Sequence, residues 1–453
     1  MSETSPSDAN MTDGLNRRKF MTTTAAAASI GLAGKVFSDD KEVQNKDDIN
    51  IALCGIGAQG KVQMNSLLKI PGVRFKAVVD IFDRNQTYGF RYLKKWRHDV
   101  TPYEDYEEML ATEKDIDAVF VATPDFMHAP ITNAALRAGK HVYCEKMMSN
   151  TIEAAASMVR AAKESGKLCQ IGHQRRSNPR YLHVKNKLLD EAKILGPTIN
   201  YANAQWNRGV KEDIPVVEKI AMPQEKLEKY GYANMSEFLN WRVYKKYGGG
   251  PISDLGAHQI DILNWFYNAT PKRVIASCGK DHYKHHEHFD TNMAIYEYEL
   301  PNGETGRAFY QVLTTTSSLG FMERFMGLDG TLAFSENPRW NTVYKEVNAP
   351  DWSEWKEKGY LVKEDEKQPE GEDVVVDVRQ SPQPEAWDVP GSELDKPIHW
   401  YHLTNFVESV RGNATLNCPA ETGYRTAVAV LKIEEAVKNG GGIYEFKPEE
   451  FSV

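Results

Sequence analysis

A chain of 453 residues with a formal net charge of -8 is long enough for two domains, and its acidity argues against nucleic acid as the main partner. At 41% hydrophobic and 26% charged residues, it carries enough apolar material for sizeable cores. Its 5 cysteines, Cys54, Cys144, Cys169, Cys278 and Cys418, form no CxxC pair, so they read as small core residues and not as a disulfide framework.

The chain opens with a polar stretch, residues 1–16. Asn16-Arg17-Arg18-Lys19-Phe20-Met21 follows, and then a weakly apolar run over 22–34. Paired arginines, an aromatic two residues on and a short Thr- and Ala-rich core read as a twin-arginine export signal over 1–34. The run is too short for a membrane span. That route carries folded proteins, so a periplasmic or other extracytoplasmic protein exported with its cofactor is expected. Residues 35–48 read as a polar linker.

A strand over 49–54 runs straight into Gly55-Ile56-Gly57-Ala58-Gln59-Gly60, and a helix continues over 61–69. This is GxGxxG in the setting it needs. Gly55 permits the tight turn, Gly57 lets the backbone approach a pyrophosphate, and Gly60 lets helix and strand pack closely. The helix start offers free N–H groups to the phosphates, with Ala58 and Gln59 on that turn. A second strand, 75–79, ends at Asp80, which suits both ribose hydroxyls and repels a 2′-phosphate. NAD is therefore favoured over NADP, with Arg84 nearby as the argument for NADP. A helix over 103–111, a strand over 118–122, a helix over 129–138, a strand over 141–144, a helix over 151–165 and a strand over 168–171 complete a doubly wound parallel sheet, residues 49–172. Its chemistry should sit at the strands' carboxyl ends. There lie Thr123-Pro124-Asp125-Phe126-Met127-His128, Glu145-Lys146-Met147-Met148 and Gly172-His173-Gln174-Arg175-Arg176.

The second domain, 173–396, begins with a helix over 178–190 and a strand over 198–206. Asn207-Arg208 reads equally as reaching the site or as an edge loop. Residues 212–232 are a charged insertion. Trp241-Arg242 suits sugar binding by stacking and hydrogen bonds, or simple core packing. Gly248-Gly249-Gly250-Pro251 then leads into a helix with Ser253 as its expected N-cap. Asp254, His258 and Asp261 share one stripe of it. A carboxylate beside an imidazole orients the ring for proton transfer, or is a satisfied pair inside a core.

Strands over 291–300 and 306–315, joined by Pro301-Asn302-Gly303, and a strand over 327–334 predict a large, open, mostly antiparallel sheet in an α+β domain. His282, His285, His286 and His288 match no familiar ligand set, so a solvated loop and no metal are expected. Residues 350–396 read as a long excursion with little core. Helices over 398–411 and 421–438, within 397–453, are expected to pack back on the first domain.

These motifs resemble the Gfo/Idh/MocA family, relatives of glucose–fructose oxidoreductase and inositol dehydrogenase. Glu145-Lys146 is similar to the family's Glu-Lys-Pro motif, Asp254 through His258 to its Asp-x-x-x-His motif, and Thr123-Pro124 with His128 to its cofactor-contacting loop. The resemblance implies a catalytic set of Lys146, Asp254 and His258. Cofactor contacts are expected from the glycine loop, Asp80, Thr123, Pro124, His128, Glu145, Lys146 and Gln174, and substrate contacts from Arg176, Trp241, Arg242, Asp254 and His258. Met147 stands where the family has proline and does not fix φ.

The chemistry is coherent on its own terms. Oxidising a sugar CH–OH needs a base, His258, with Asp254 setting its tautomer and Lys146 holding the substrate oxygen. The first expectation is an exported, NAD-dependent sugar oxidoreductase that recycles a bound cofactor, a homo-oligomer through the C-terminal sheet. The alternatives are an NAD-dependent glycosidase or lyase working through a transient keto-sugar, and a catalytically silent sugar-binding protein.

Overall fold

The structure, a computed structural model, describes residues 47–209, 213–363, 384–391, 394–438 and 440–453. The twin-arginine-like segment lies outside the described residues. Six short apolar strands make the first sheet: β1 (Ile49–Cys54), β2 (Val73–Val79), β3 (Thr101–Tyr103), β4 (Ala118–Val121), β5 (His141–Cys144) and β6 (Cys169–Ile171). They pair in the order β3-β2-β1-β4-β5-β6, all parallel. β1, β4 and β6 are buried along their whole length, as strands covered on both faces must be. Helices α1 (Ala58–Leu67), α2 (Asp83–Lys95), α3 (Tyr106–Thr112), α4 (Asp125–Arg137) and α5 (Ile152–Ser165) supply the crossovers. The strand order reverses between β1 and β4, which opens a crevice at their carboxyl ends.

Two of these elements, α2 and β3, escape sequence reading. α2 is mostly polar and buries only Gly89 and Leu93 fully, so few apolar residues mark it. The helix expected over 103–111 starts later, at Tyr106, because Asp105 caps it by accepting the Glu107 N–H at 2.7 Å.

The second sheet has nine strands. They are β7 (Ile199–Asn207), β8 (Pro271–Gly279), β9 (Thr291–Glu299), β10 (Thr305–Leu313), β11 (Phe321–Gly327), β12 (Gly330–Phe334), β13 (Asn341–Lys345), β14 (Glu385–Asp388) and β15 (Ile443–Glu445). Their order is β14-β13-β12-β11-β7-β10-β9-β8-β15, antiparallel except for β7 and β10. β9 shows why one face is inward: Asn292, Ala294, Tyr296 and Tyr298 are buried, while Met293 and Ile295 are exposed. Residues 350–396 hold more core than expected. Trp352, Leu361, Trp387 and Val389 are buried, with the Trp352 and Trp387 rings 5.9 Å apart, and β14 edges the sheet. The expected helix over 178–190 divides into an α-helix, Pro179–His183, and a π-helical run, Val184–Glu191.

Three helices join the layers. α6 (Ala257–Tyr267) and α8 (Ala420–Lys438) lie against the inner face of the nine-stranded sheet, and α8 also meets α5. α7 (Ile398–Val410) sends Leu403, Phe406 and Val407 into the first sheet's core, where Phe406 packs edge-on against Phe120 and Tyr143. Truncating Phe406 to alanine there would cost about 3–5 kcal/mol. Among the described residues no helix is long and apolar enough to cross a membrane.

Candidate active site

The crevice is a cleft of about 910 Å³ that runs from the glycine turn to α6. At its first end, Gly55 takes φ +91°, and a Cβ there would lie 2.5 Å from the Ala122 carbonyl oxygen. A Cβ on Gly60 would sit 1.9 Å from the Gly55 oxygen, whereas one on Gly57 would meet nothing within 4 Å. Gly55 and Gly60 therefore serve the turn and the packing, and Gly57 keeps open space. α1 begins without a side-chain cap, so its first N–H groups are left for a ligand.

Asp80 accepts the Ile56 N–H on Oδ2 at 2.7 Å and the Phe82 N–H on Oδ1 at 2.8 Å. Burial pushes its carboxyl up to about 6, against the pull of those two N–H groups. The Thr123 hydroxyl in the cleft wall is buried without a partner. An uncapped helix start, an open glycine, a ribose acceptor and an orphan hydroxyl together fit a dinucleotide.

At the other end, β5 delivers Glu145 and Lys146. Glu145 is buried and accepts from Gln59 Nε2 and Gln63 Nε2, both at 2.8 Å, which ties it to α1. Lys146 Nζ donates to the Asp254 backbone oxygen at 2.5 Å and stands 3.6 Å from Asp254 Oδ1. The Lys146–Met147 peptide is cis, and Met147 is buried. Arg208 Nη2 meets Asp254 Oδ2 at 2.8 Å, and Arg242 Nε meets Oδ1 at 3.3 Å. Burial opposes ionisation of Asp254, yet Lys146, Arg242 and Arg208 hold its carboxyl well below the usual carboxylate range. Three cations thus surround the Asp254 carboxylate.

Comparison with known proteins identifies the arrangement. Residues 49–173 match the Gfo/Idh/MocA description "oxidoreductase family, NAD-binding Rossmann fold", and residues 218–443 match its "C-terminal alpha/beta domain". The chain belongs to the Gfo/Idh/MocA family. An inositol 2-dehydrogenase/D-chiro-inositol 3-dehydrogenase of Shouchella clausii is 28% identical over 222 residues, 49% of this chain and 53% of that protein. A 4-carboxy-2-hydroxymuconate-6-semialdehyde dehydrogenase of Sphingobium is 34% identical over 143 residues, 31% of this chain and 43% of that protein. The chain thus spans about half the length of the curated relatives it matches. The crystal structure of an aldose-aldose oxidoreductase from Caulobacter crescentus, with glycerol bound, shares the fold. Its TM-score is 0.64 at 18% identity, over 88% of this chain and all of that one (100%).

Within this Gfo/Idh/MocA site the structure gathers most of the expected residues. Gly55, Gly57, Ala58, Gln59, Asp80, Thr123, Pro124, Glu145, Lys146, Gln174, Trp241, Arg242, Asp254 and His258 all line the cleft. Three expectations need correcting.

First, Asp254 does not pair with His258. A π-helical turn, Ile252–Gly256, precedes α6, and its slipped hydrogen bonds break the stacking of residues four apart. The His258 ring instead lies 5.4 Å from the Trp206 ring, and its Nδ1 is buried without a partner. Burial first, then the charges of Lys146 and Arg175, keeps this imidazole neutral, its pKa well below the ordinary histidine value. Ser253 falls inside that π turn, so it is not a cap, and its hydroxyl is buried and unpartnered.

Second, Arg176 does not face the cleft. It forms a fork with Asp261, Nε to Oδ2 at 2.8 Å and Nη2 to Oδ1 at 2.9 Å, and Thr426 adds a 2.9 Å bond. Asp261 keeps its place three residues on from His258 in α6, but its carboxylate is taken up by Arg176 and Thr426. Third, His128 lies behind the wall. Its Nδ1 is 2.7 Å from the Met147 oxygen and its Nε2 2.8 Å from the Thr123 oxygen, so it ties the two loops together.

Trp206, Glu336 and His399 also line the cleft and were missed. They come from three separate parts of the chain, and no local pattern marks them. Arg208 had one signal, its place at a strand end. The histidine loop is not simply solvated, because His286 and His288 are buried.

Proposed function

We propose that the chain is an NAD-dependent oxidoreductase that acts on a CH–OH group of a sugar or sugar derivative. One observation carries the reading: Lys146 and a neutral, unpaired His258 share a single cleft with an open Gly57 cradle and Asp80. NAD, when bound, supplies the hydride acceptor. The glycine turn and Asp80 hold and orient it. Lys146 binds the substrate hydroxyl and favours negative charge on that oxygen, with Arg208 and Arg242 adding positive potential. His258 accepts the hydroxyl proton, which its neutral state permits. Asp254 sets the position of Lys146 through its backbone oxygen and its carboxylate. Trp206 fixes the His258 ring by packing.

The twin-arginine-like sequence extends the proposal to an exported enzyme that keeps and recycles its cofactor. The exposed outer face of the nine-stranded sheet, with Tyr201, Ile275, Met293 and Ile295, supports a homo-oligomer built through it. Redox-neutral cleavage of a glycoside through a transient keto-sugar also has an observation in its favour. A side pocket of about 280 Å³ opens beside Arg208, Arg242 and Asp254, next to the reacting end of the cleft, and offers room for a second ring. Incubation of the purified protein with polyols, aldoses and glycosides tests both. Nicotinamide reduction supports the oxidoreductase, glycoside cleavage without net redox change supports the second reading, and neither outcome with any compound would count against both.

A further inference from the structure

The histidine loop meets a residue from far along the chain. His286 Nε2 lies 2.9 Å from Asp213 Oδ1, and His285 Nε2 lies 3.3 Å from Asp213 Oδ2. One ligand atom from each of the three residues falls within 4.8 Å of the other two. We propose that Asp213, His285 and His286 form a binding site for a divalent transition-metal ion of the zinc type.

Three features argue for it. Imidazole and carboxylate at Zn–N and Zn–O distances of about 2.0–2.2 Å place ligand atoms roughly 3.3 Å apart at the corners of a tetrahedron. The separations of His286 and His285 from the Asp213 carboxylate, 2.9 Å to Oδ1 and 3.3 Å to Oδ2, run to its two different oxygens and are of that order. Both sides of the site are also fixed in advance. Asp290 accepts the N–H groups of Asp281, His282 and Tyr283 at 2.9, 2.8 and 2.7 Å, which shapes the start of the histidine loop. His288 anchors its end, 3.0 Å from the Gly248 oxygen and 3.1 Å from Glu434 Oε1. Across the gap, Asn240 holds the neighbour of Asp213 by accepting the Ile214 N–H at 2.7 Å and donating to the Ile214 oxygen at 3.1 Å. Lastly, three protein ligands leave at least one position open for water or a substrate oxygen. Asp213 and His286 line the side pocket that Arg208, Arg242 and Asp254 also line, so the open position has access to that space. The ion would clip the segment after β7 to the loop before β9, in the pocket that Arg208 and Arg242, the two arginines on Asp254, also line.

The site is independent of the proposed oxidoreductase activity, and so is its test. Tag-free full-length protein is stripped with a chelator, equilibrated with zinc, freed of excess by gel filtration and assayed for metal by mass spectrometry. Cobalt is added in parallel for its visible absorption. The expected result is about one zinc per chain and a cobalt band typical of four or five ligands. Both should be lost in Asp213→Asn and His286→Ala, with affinity down about a hundredfold or more. His285→Ala gives the same reading if His286→Ala fails to fold, because the His285 side chain is 66% exposed. His282→Ala should retain the metal. Wild-type protein that holds no zinc, or variants that hold as much as wild type, would overturn the proposal and leave a plain Asp–His hydrogen-bonded cluster.

Discussion

Gly57 and Gly60 sit three residues apart in one motif, yet they should fail in different ways when replaced. A methyl at position 57 meets nothing within 4 Å, and the backbone there, φ -68° and ψ -162°, is open to any residue. Gly57→Ala should therefore leave folding stability unchanged or raise it by about 0.4–1 kcal/mol through the unfolded state. The same methyl occupies the space a pyrophosphate needs, so NAD affinity should fall at least tenfold, about 1.4 kcal/mol. A methyl at position 60 would come within 1.9 Å of the Gly55 oxygen, a backbone atom that cannot rotate away. Gly60→Ala should lose about 3 kcal/mol of stability. Chemical denaturation and calorimetric titration with NAD measure the two effects separately. A Gly57→Ala protein that binds NAD like wild type, or that is as unstable as Gly60→Ala, would refute this account of the cradle.

Three further outcomes follow from single substitutions. Arg176→Ala should lower stability by about 3–5 kcal/mol, because it leaves Asp261 buried without its cation. Arg242→Ala should leave the denaturation midpoint nearly unchanged and raise KM for the sugar, and comparing the two variants by both assays checks the division. His402 is fully buried between the Ser177 hydroxyl and the Ile171 oxygen, and burial depresses its pKa to about 3. As pH falls the unfolded chain takes this proton first, so the contribution of His402 is complete above about pH 6.5 and is lost as pH falls toward 3. The full difference is about 5 kcal/mol as an upper bound, and denaturation from pH 7 to 4 should be visibly flatter in His402→Gln.

The cofactor end was legible because its signals are local. Strand, GxGxxG, helix and a terminal Asp80 lie within one βαβ unit, and each glycine's role follows from a distance of a few residues. The reacting end was only half legible. Lys146 and His258 were found by motif, but the pairing of Asp254 was not. Helical spacing assumes hydrogen bonds from i to i−4, and the π turn over Ile252–Gly256 breaks that assumption without leaving a mark in residue type. Arg176 illustrates a second limit. It was expected at the cleft because its loop ends a strand, but its partner Asp261 comes from 85 positions away. Trp206 on β7, His399 on α7 and Glu336 and Asp213 in loops reach their places through long-range packing, which no local spacing encodes.

The central claim is that Lys146 and His258 promote hydride transfer from a sugar to bound NAD. The most direct measurement follows the nicotinamide spectrum of the NAD-loaded protein on mixing with a panel of sugars and polyols, for wild type and Lys146→Ala. The account predicts reduction by at least one compound in wild type, slowed by about 10²–10³-fold in a Lys146→Ala protein that still holds its nucleotide. An unchanged spectrum with every compound, or equal rates in the two proteins, would contradict it.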